Sequence, residues 1–208
     1  MKLFNISKSN NTFLSKTYKS SMADLSSFFR IGQDKVNPNI ILIPDRATFD
    51  LLQGRKSEDW GVGWQKAEDV YLLNPRNYQS ESSHIYSDEK YTALLKHELC
   101  HCFIEIITNR YYRPVWLNEG LAVFLSGQNK FHSKPTSLKT FPFDDFYDKS
   151  GPGVYTKAGF IVEFLVKKFS KQKILKLLKQ SKQFNSAEKF RKLFKQVYGL
   201  NLNPAIFI

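Results

Sequence analysis

From Asp88 to Arg110 the chain runs for 23 residues without a proline or a glycine, and this stretch limits the fold more than any other. Apolar residues recur at Tyr91, Leu94, Leu95, Leu99 and Cys102, the rhythm of a helix laid against a core. Ser87 or Asp88 supplies the start signal. Within the same stretch stands His97-Glu98-Leu99-Cys100-His101. On a helix, residues four apart share a face with β-carbons about 5–6 Å apart, so two imidazoles can close on one metal ion. In a strand they would share a face too, but about 13 Å apart, beyond the reach of a common ion. Glu98 then lies beside the ion, where a carboxylate can take the proton of a water that the metal activates. With 4 His and 9 Glu in 208 residues, such a run arises somewhere by composition in about three chains per thousand, so chance explains it poorly.

A second segment follows, Trp116-Leu117-Asn118-Glu119-Gly120-Leu121-Ala122, with 17 residues between His101 and Glu119. HELCH followed by WLNEGLA resembles the gluzincin branch of zinc metallopeptidases, the aminopeptidase N-like members of the peptidase MA-like superfamily. That resemblance implies an α+β, zincin-like fold. A small mixed sheet and the active-site helix would form an upper lobe, helices a lower lobe, and zinc would lie in the cleft between them. It implies His97, His101 and Glu119 as ligands of one Zn2+ per chain, with Glu98 as general base. The spacing from His101 to Glu119 is one residue shorter than in aminopeptidase N-like enzymes, a difference the loop through Arg113-Pro114 can absorb.

Val154-Tyr155-Thr156-Lys157-Ala158-Gly159-Phe160 matches a further element of these families, a tyrosine at the head of a helix. The resemblance gives Tyr155 the role of holding the oxyanion that forms when the carbonyl is attacked, because a fixed O–H donor stabilises that charge. Two departures narrow what carries over. The Gly-x-Met-Glu-Asn stretch that recognises a free amine in the aminopeptidases is absent, Gly61-Val62-Gly63-Trp64 being its nearest positional analogue, so exopeptidase action does not follow. Ser126 also stands where those enzymes often place an acid that orients a ligand histidine. Glu105, one turn beyond His101, is the alternative, although a solvent-facing or core-edge role suits it better.

The rest of the chain fits one catalytic domain over residues 1–208. The upper lobe is expected over about 1–103, a linker over about 104–116 and the lower helical lobe over about 117–208. A helix through Leu14 to Phe28, a strand at Ile40-Ile41-Leu42-Ile43, a short helix near Thr48 to Leu52 and two strands at Trp60–Gln65 and Val70–Leu73 are expected before the histidine helix. Residues 61–65 are the candidate edge strand beside a bound peptide. After Tyr155 three helical stretches follow, the last with Phe190, Leu193, Phe194, Val197 and Tyr198 on one face and Gly199 as its stop.

The N-terminal Met1-Lys2-Leu3-Phe4 leads into no apolar run, and no stretch approaches the roughly 20 apolar residues of a membrane span. The two cysteines, Cys100 and Cys102, point to different sides of one helix, which disfavours a disulfide and agrees with a cytoplasmic location. They read as small buried apolar groups.

A net charge of +12 raises a competing class. Between Glu163 and Lys195 there are 11 Lys or Arg against two acids. These cations fall on the polar faces of amphipathic helices, mostly as Lys, with no nucleic-acid motif beside them, so a solvated face is the better reading and nucleic acid is not the expected partner. The expected partner is a peptide or protein substrate, and the expected function hydrolysis of its peptide bonds. The alternatives are a catalytically silent zinc-containing binding or regulatory protein and a basic nucleic-acid-associated protein.

Overall fold

The computed structural model describes residues 8–151 and 153–207. The expectation made for Met1 to Phe4 lies outside the described residues, as do both ends of the expected 1–208 domain. Helix α1 spans Thr12–Phe29, capped by the Asn11 side chain, which accepts from the Leu14 amide. Strand β1 (Asn39–Ile43) and the short helix α2 (Arg46–Gln53) lead to the hairpin of β2 (Gly63–Lys66) and β3 (Asp69–Leu73). The sheet order is β1-β3-β2. β1 runs parallel to β3 and β2 antiparallel to it, so the sheet is mixed and β2 forms one edge.

The first hairpin strand differs from the expected one. Residues 60–62 precede β2 as a loop, and the turn after it carries Ala67 at φ 54, a left-handed conformation that sequence reading assigns to glycine. Side chains then divide by face. Trp64 stacks on Tyr71 at 4.6 Å and meets Phe49 of α2 edge-on, whereas Gly63 is turned towards Glu98.

Helix α3 (Asp88–Ile107) starts at Ser87, whose hydroxyl accepts from the Lys90 amide. It is buried on nearly every side, including Tyr91, Leu95, Leu99, Cys100, Phe103 and Ile104. A helix without a wet face belongs at the centre of a fold. One flank meets α1, where Phe29 stacks on Phe103 at 5.5 Å. Another meets α4 (Val115–Ser126). Both cysteines are free and buried, and burial pushes the Cys102 thiol up to about 12, so neither is a ready nucleophile.

Helix α4 is the second pillar. Trp116 in its first turn is fully buried and takes the rings of Phe143, Phe141 and Phe190 edge-on, the nearest at 4.9 Å. A single helical turn, α5 (Asp145–Asp148), precedes a π-helical turn at Val154–Ala158, which runs straight into α6 (Gly159–Phe169). This turn presses against α4 so tightly that a β-carbon at Gly120 would stand 2.6 Å from the Ala158 carbonyl oxygen. Helices α7 (Lys171–Ser181) and α8 (Ala187–Tyr198) complete the chain's helical half. Their Leu, Ile and Phe residues are buried while Lys176, Lys179, Lys182, Lys189, Lys192 and Lys195 face solvent, as the periodicity predicts. Phe207 closes the described chain against Phe143 and Phe164. The fold is therefore mixed α+β, with a three-stranded sheet and eight α-helices among the described residues. None of these helices is long and apolar enough to cross a membrane.

Candidate metal centre

The two histidines on α3 point the same way because four residues separate them. His97 Nε2 and His101 Nε2 lie 3.1 Å apart. Helix α4 brings Glu119 to meet them, its Oε2 standing 3.4 Å from His97 Nε2 and 3.7 Å from His101 Nε2. The three atoms form a nearly even triangle. A tetrahedral ion with ligand distances of about 2.0–2.1 Å requires donor atoms about 3.3 Å apart, and these edges bracket that value.

The chemistry of the donors fits an ion as well as the spacing does. His97 Nδ1 lies 2.8 Å from Gln128 Oε1. An amide oxygen accepts only, so that nitrogen carries the proton and Nε2 presents a lone pair. Glu119 Oε2 is buried without a hydrogen-bond partner, its approach to the histidines being an ion-pair distance rather than an aligned bond. Two ring nitrogens and a carboxylate that converge in a buried space call for a cation between them, a proton or a metal ion. These three residues could hold a metal ion.

The charges are strongly coupled. Burial alone would lower His97, but the adjacent Glu119 and Glu98 carboxylates raise it above the usual histidine value. Burial pulls His101 down to about 4, so it is neutral near pH 7. Burial works to raise Glu119, yet the facing histidines hold its carboxyl below the ordinary range. Glu98 is pushed up to about 7 by burial, with Glu119 adding to the effect and His97 opposing it. A carboxyl in that range can both take and return a proton near neutrality. Its Cγ lies 3.4 Å from where a β-carbon on Gly63 would be, so Glu98 stands directly beneath the edge strand.

No protein-family model matches the chain and no solved structure matches it.

Tyr155 sits on the π-helical turn, not in the α-helix that follows. A π turn inserts a residue into the helical ladder and redirects the side chains it carries. The phenol accepts a hydrogen bond from Ser150 Oγ at 3.1 Å, which leaves its own proton to donate. Burial raises Tyr155 above the ordinary tyrosine value, and the charges of Glu119 and Glu98 add to the rise, so this hydroxyl stays protonated within their field.

Sequence reasoning missed Gln128. Ser126 faces away, donating to the Val123 carbonyl, and Glu105 is engaged at the core edge by Gln65 and Arg110. Instead Gly127 ends α4 at φ 80 and a 3-10 turn returns Gln128 to His97. Such an acceptor fixes the tautomer and orientation of a ligand imidazole. Replacing Gln128 by Leu is expected to weaken metal binding about 10–100-fold, measured by competition with a chromophoric chelator. An unchanged constant would remove Gln128 from the centre.

Proposed function

We propose that the chain is a zinc-dependent peptidase of the gluzincin kind, with zincin-like lobes either side of a single metal. The observation that carries this reading is the triangle of His97, His101 and Glu119 with Glu98 alongside. Two imidazoles and one carboxylate are a donor set of catalytic zinc, which keeps a coordination position for substrate or water. When bound, zinc would supply a Lewis acid that polarises the scissile carbonyl and acidifies a water.

The chain's own residues account for the remaining steps. Glu98 receives the proton of the attacking water on its carboxylate, holds it, and delivers it to the nitrogen of the departing amine. The raised affinity of this buried group for a proton suits it to that holding role. Tyr155 donates its hydroxyl proton as a hydrogen bond to the carbonyl oxygen as negative charge grows there. The β2 edge offers main-chain groups to an extended peptide, and the missing side chain at Gly63 keeps the approach to Glu98 low.

The test is cleavage of a diverse peptide library, read by mass spectrometry, with metal-stripped protein and with protein reloaded with zinc. Cleavage is expected only after reloading, and the sites cut would separate endopeptidase from exopeptidase action. Equal patterns with and without metal, or no cleavage by the loaded protein, would overturn the reading.

A further inference from the structure

Trp60 is half-exposed, at 48 %, yet the loop that carries it is among the most firmly tied in the molecule. Arg46, in the first turn of α2, spreads its guanidinium over this loop. It donates to the Gly61 carbonyl at 2.7 Å, the Glu58 carbonyl at 3.3 Å, the Asp59 carbonyl at 3.2 Å and Ser57 Oγ at 2.9 Å. The same group grips the Glu81 carbonyl at 2.7 Å, which joins the loop to the segment opposite. From there the Ser83 amide donates to the Asp59 carbonyl at 3.2 Å, and His84 Nε2 meets the Trp60 carbonyl at 2.9 Å. Main-chain groups before, at and after Trp60 are thereby fixed.

An exposed indole on a rigid support differs from one on a mobile loop, because its apolar surface is held ready with little ordering cost left for a partner to meet. The place where it is held matters equally. The Trp60 ring lies against Tyr155, centroids 5.8 Å apart and planes tilted by 56°. Three residues on, Gly63 borders Glu98. Trp60 therefore touches the π turn through Tyr155 and stands three residues before the strand position beside Glu98, with about half of its own surface open.

We infer that Trp60 is a specificity-determining residue, forming with Tyr155 an aromatic wall that selects peptides with a bulky apolar or aromatic side chain beside the scissile bond. This inference rests on the peptidase reading above. The indole offers dispersion and ring contact but no charge, so it favours Phe, Tyr or Leu over Ala and over Asp at the position it meets. Arg46 acts through the loop as a positioning residue.

The experiment compares blocked peptides that differ only by Phe, Leu, Ala or Asp at the residues flanking the cut, with wild-type protein and with Trp60→Ala and Trp60→Phe. The readouts are the ratio of kcat/KM for the Phe peptide to that for the Ala peptide, and the dissociation constants of both peptides from zinc-loaded Glu98→Gln protein with and without Trp60→Ala. Wild type is expected to prefer Phe about tenfold. Trp60→Ala should bring the ratio close to one and Trp60→Phe should retain most of it. Dissociation constants should follow the same order. A wild type that cuts with no apolar preference would overturn the inference and leave the peptidase reading standing. So would a preference that survives Trp60→Ala. A wild type that neither cuts nor binds these peptides would overturn the peptidase reading, and the inference with it.

Discussion

Glu98→Gln is expected to lower kcat about a hundred- to ten-thousand-fold while the protein retains its full complement of zinc. The substitution keeps size and shape but removes the carboxylate that receives a proton. Glu98 is only 6 % exposed, so solvent cannot easily replace it. The donor atoms that converge come from His97, His101 and Glu119, and the metal should not register the change. Metal analysis and steady-state kinetics on one preparation decide the matter. Turnover near the wild-type rate would take Glu98 out of proton transfer, and loss of zinc would reassign it to metal binding.

The second large effect is on stability. Trp116→Ala is expected to cost about 3–5 kcal/mol, which lowers the melting temperature by roughly 6–20 °C in a domain of this size. Trp116 is fully buried, and the rings of Phe143, Phe141 and Phe190 come from two separate parts of the chain to meet it. An alanine leaves a void between rigid rings that cannot all move inward. Because Glu119 lies one turn further along α4, zinc affinity should fall with stability. Thermal melts with and without zinc check both effects. A loss below about 1 kcal/mol would mean that the aromatic cluster collapses into the space.

The parts of this molecule that were legible in the sequence are those written in local periodicity. Helix α3 begins at Asp88 with Ser87 as its cap, at the start signal that Ser87 or Asp88 supplies, and the spacing of His97 and His101 placed both imidazoles on one face. The buried stripe and glycine stop of α8 were equally plain. Features that depend on where distant segments return were not. Gln128 carries no mark as the partner of His97, since it reaches the ring only after Gly127 ends α4 and the chain doubles back. Arg46 reads as an ordinary cation at the start of a short helix, and only the folded chain shows it holding the loop at 57–61. That same loop explains the misplaced start of the hairpin. Trp60 and Val62 have strand-like composition, but Arg46 and His84 take the carbonyls of Gly61 and Trp60 before β2 begins at Gly63. The segment around Tyr155 reads as a helix start, and nothing local in it marks the π turn, which packs closely on Gly120 of a distant helix.

Strand β2 ends the sheet, and that position carries a consequence for what the protein could act upon. A chain that joins this edge must supply its own N–H and C=O groups in extended form. Residues within a native helix or a paired strand have already committed those groups. An enzyme that reads its substrates through β2 would thus screen them by foldedness before any side chain is inspected. Intact proteins would pass untouched, while frayed ends, unfolded segments and short peptides would be admitted.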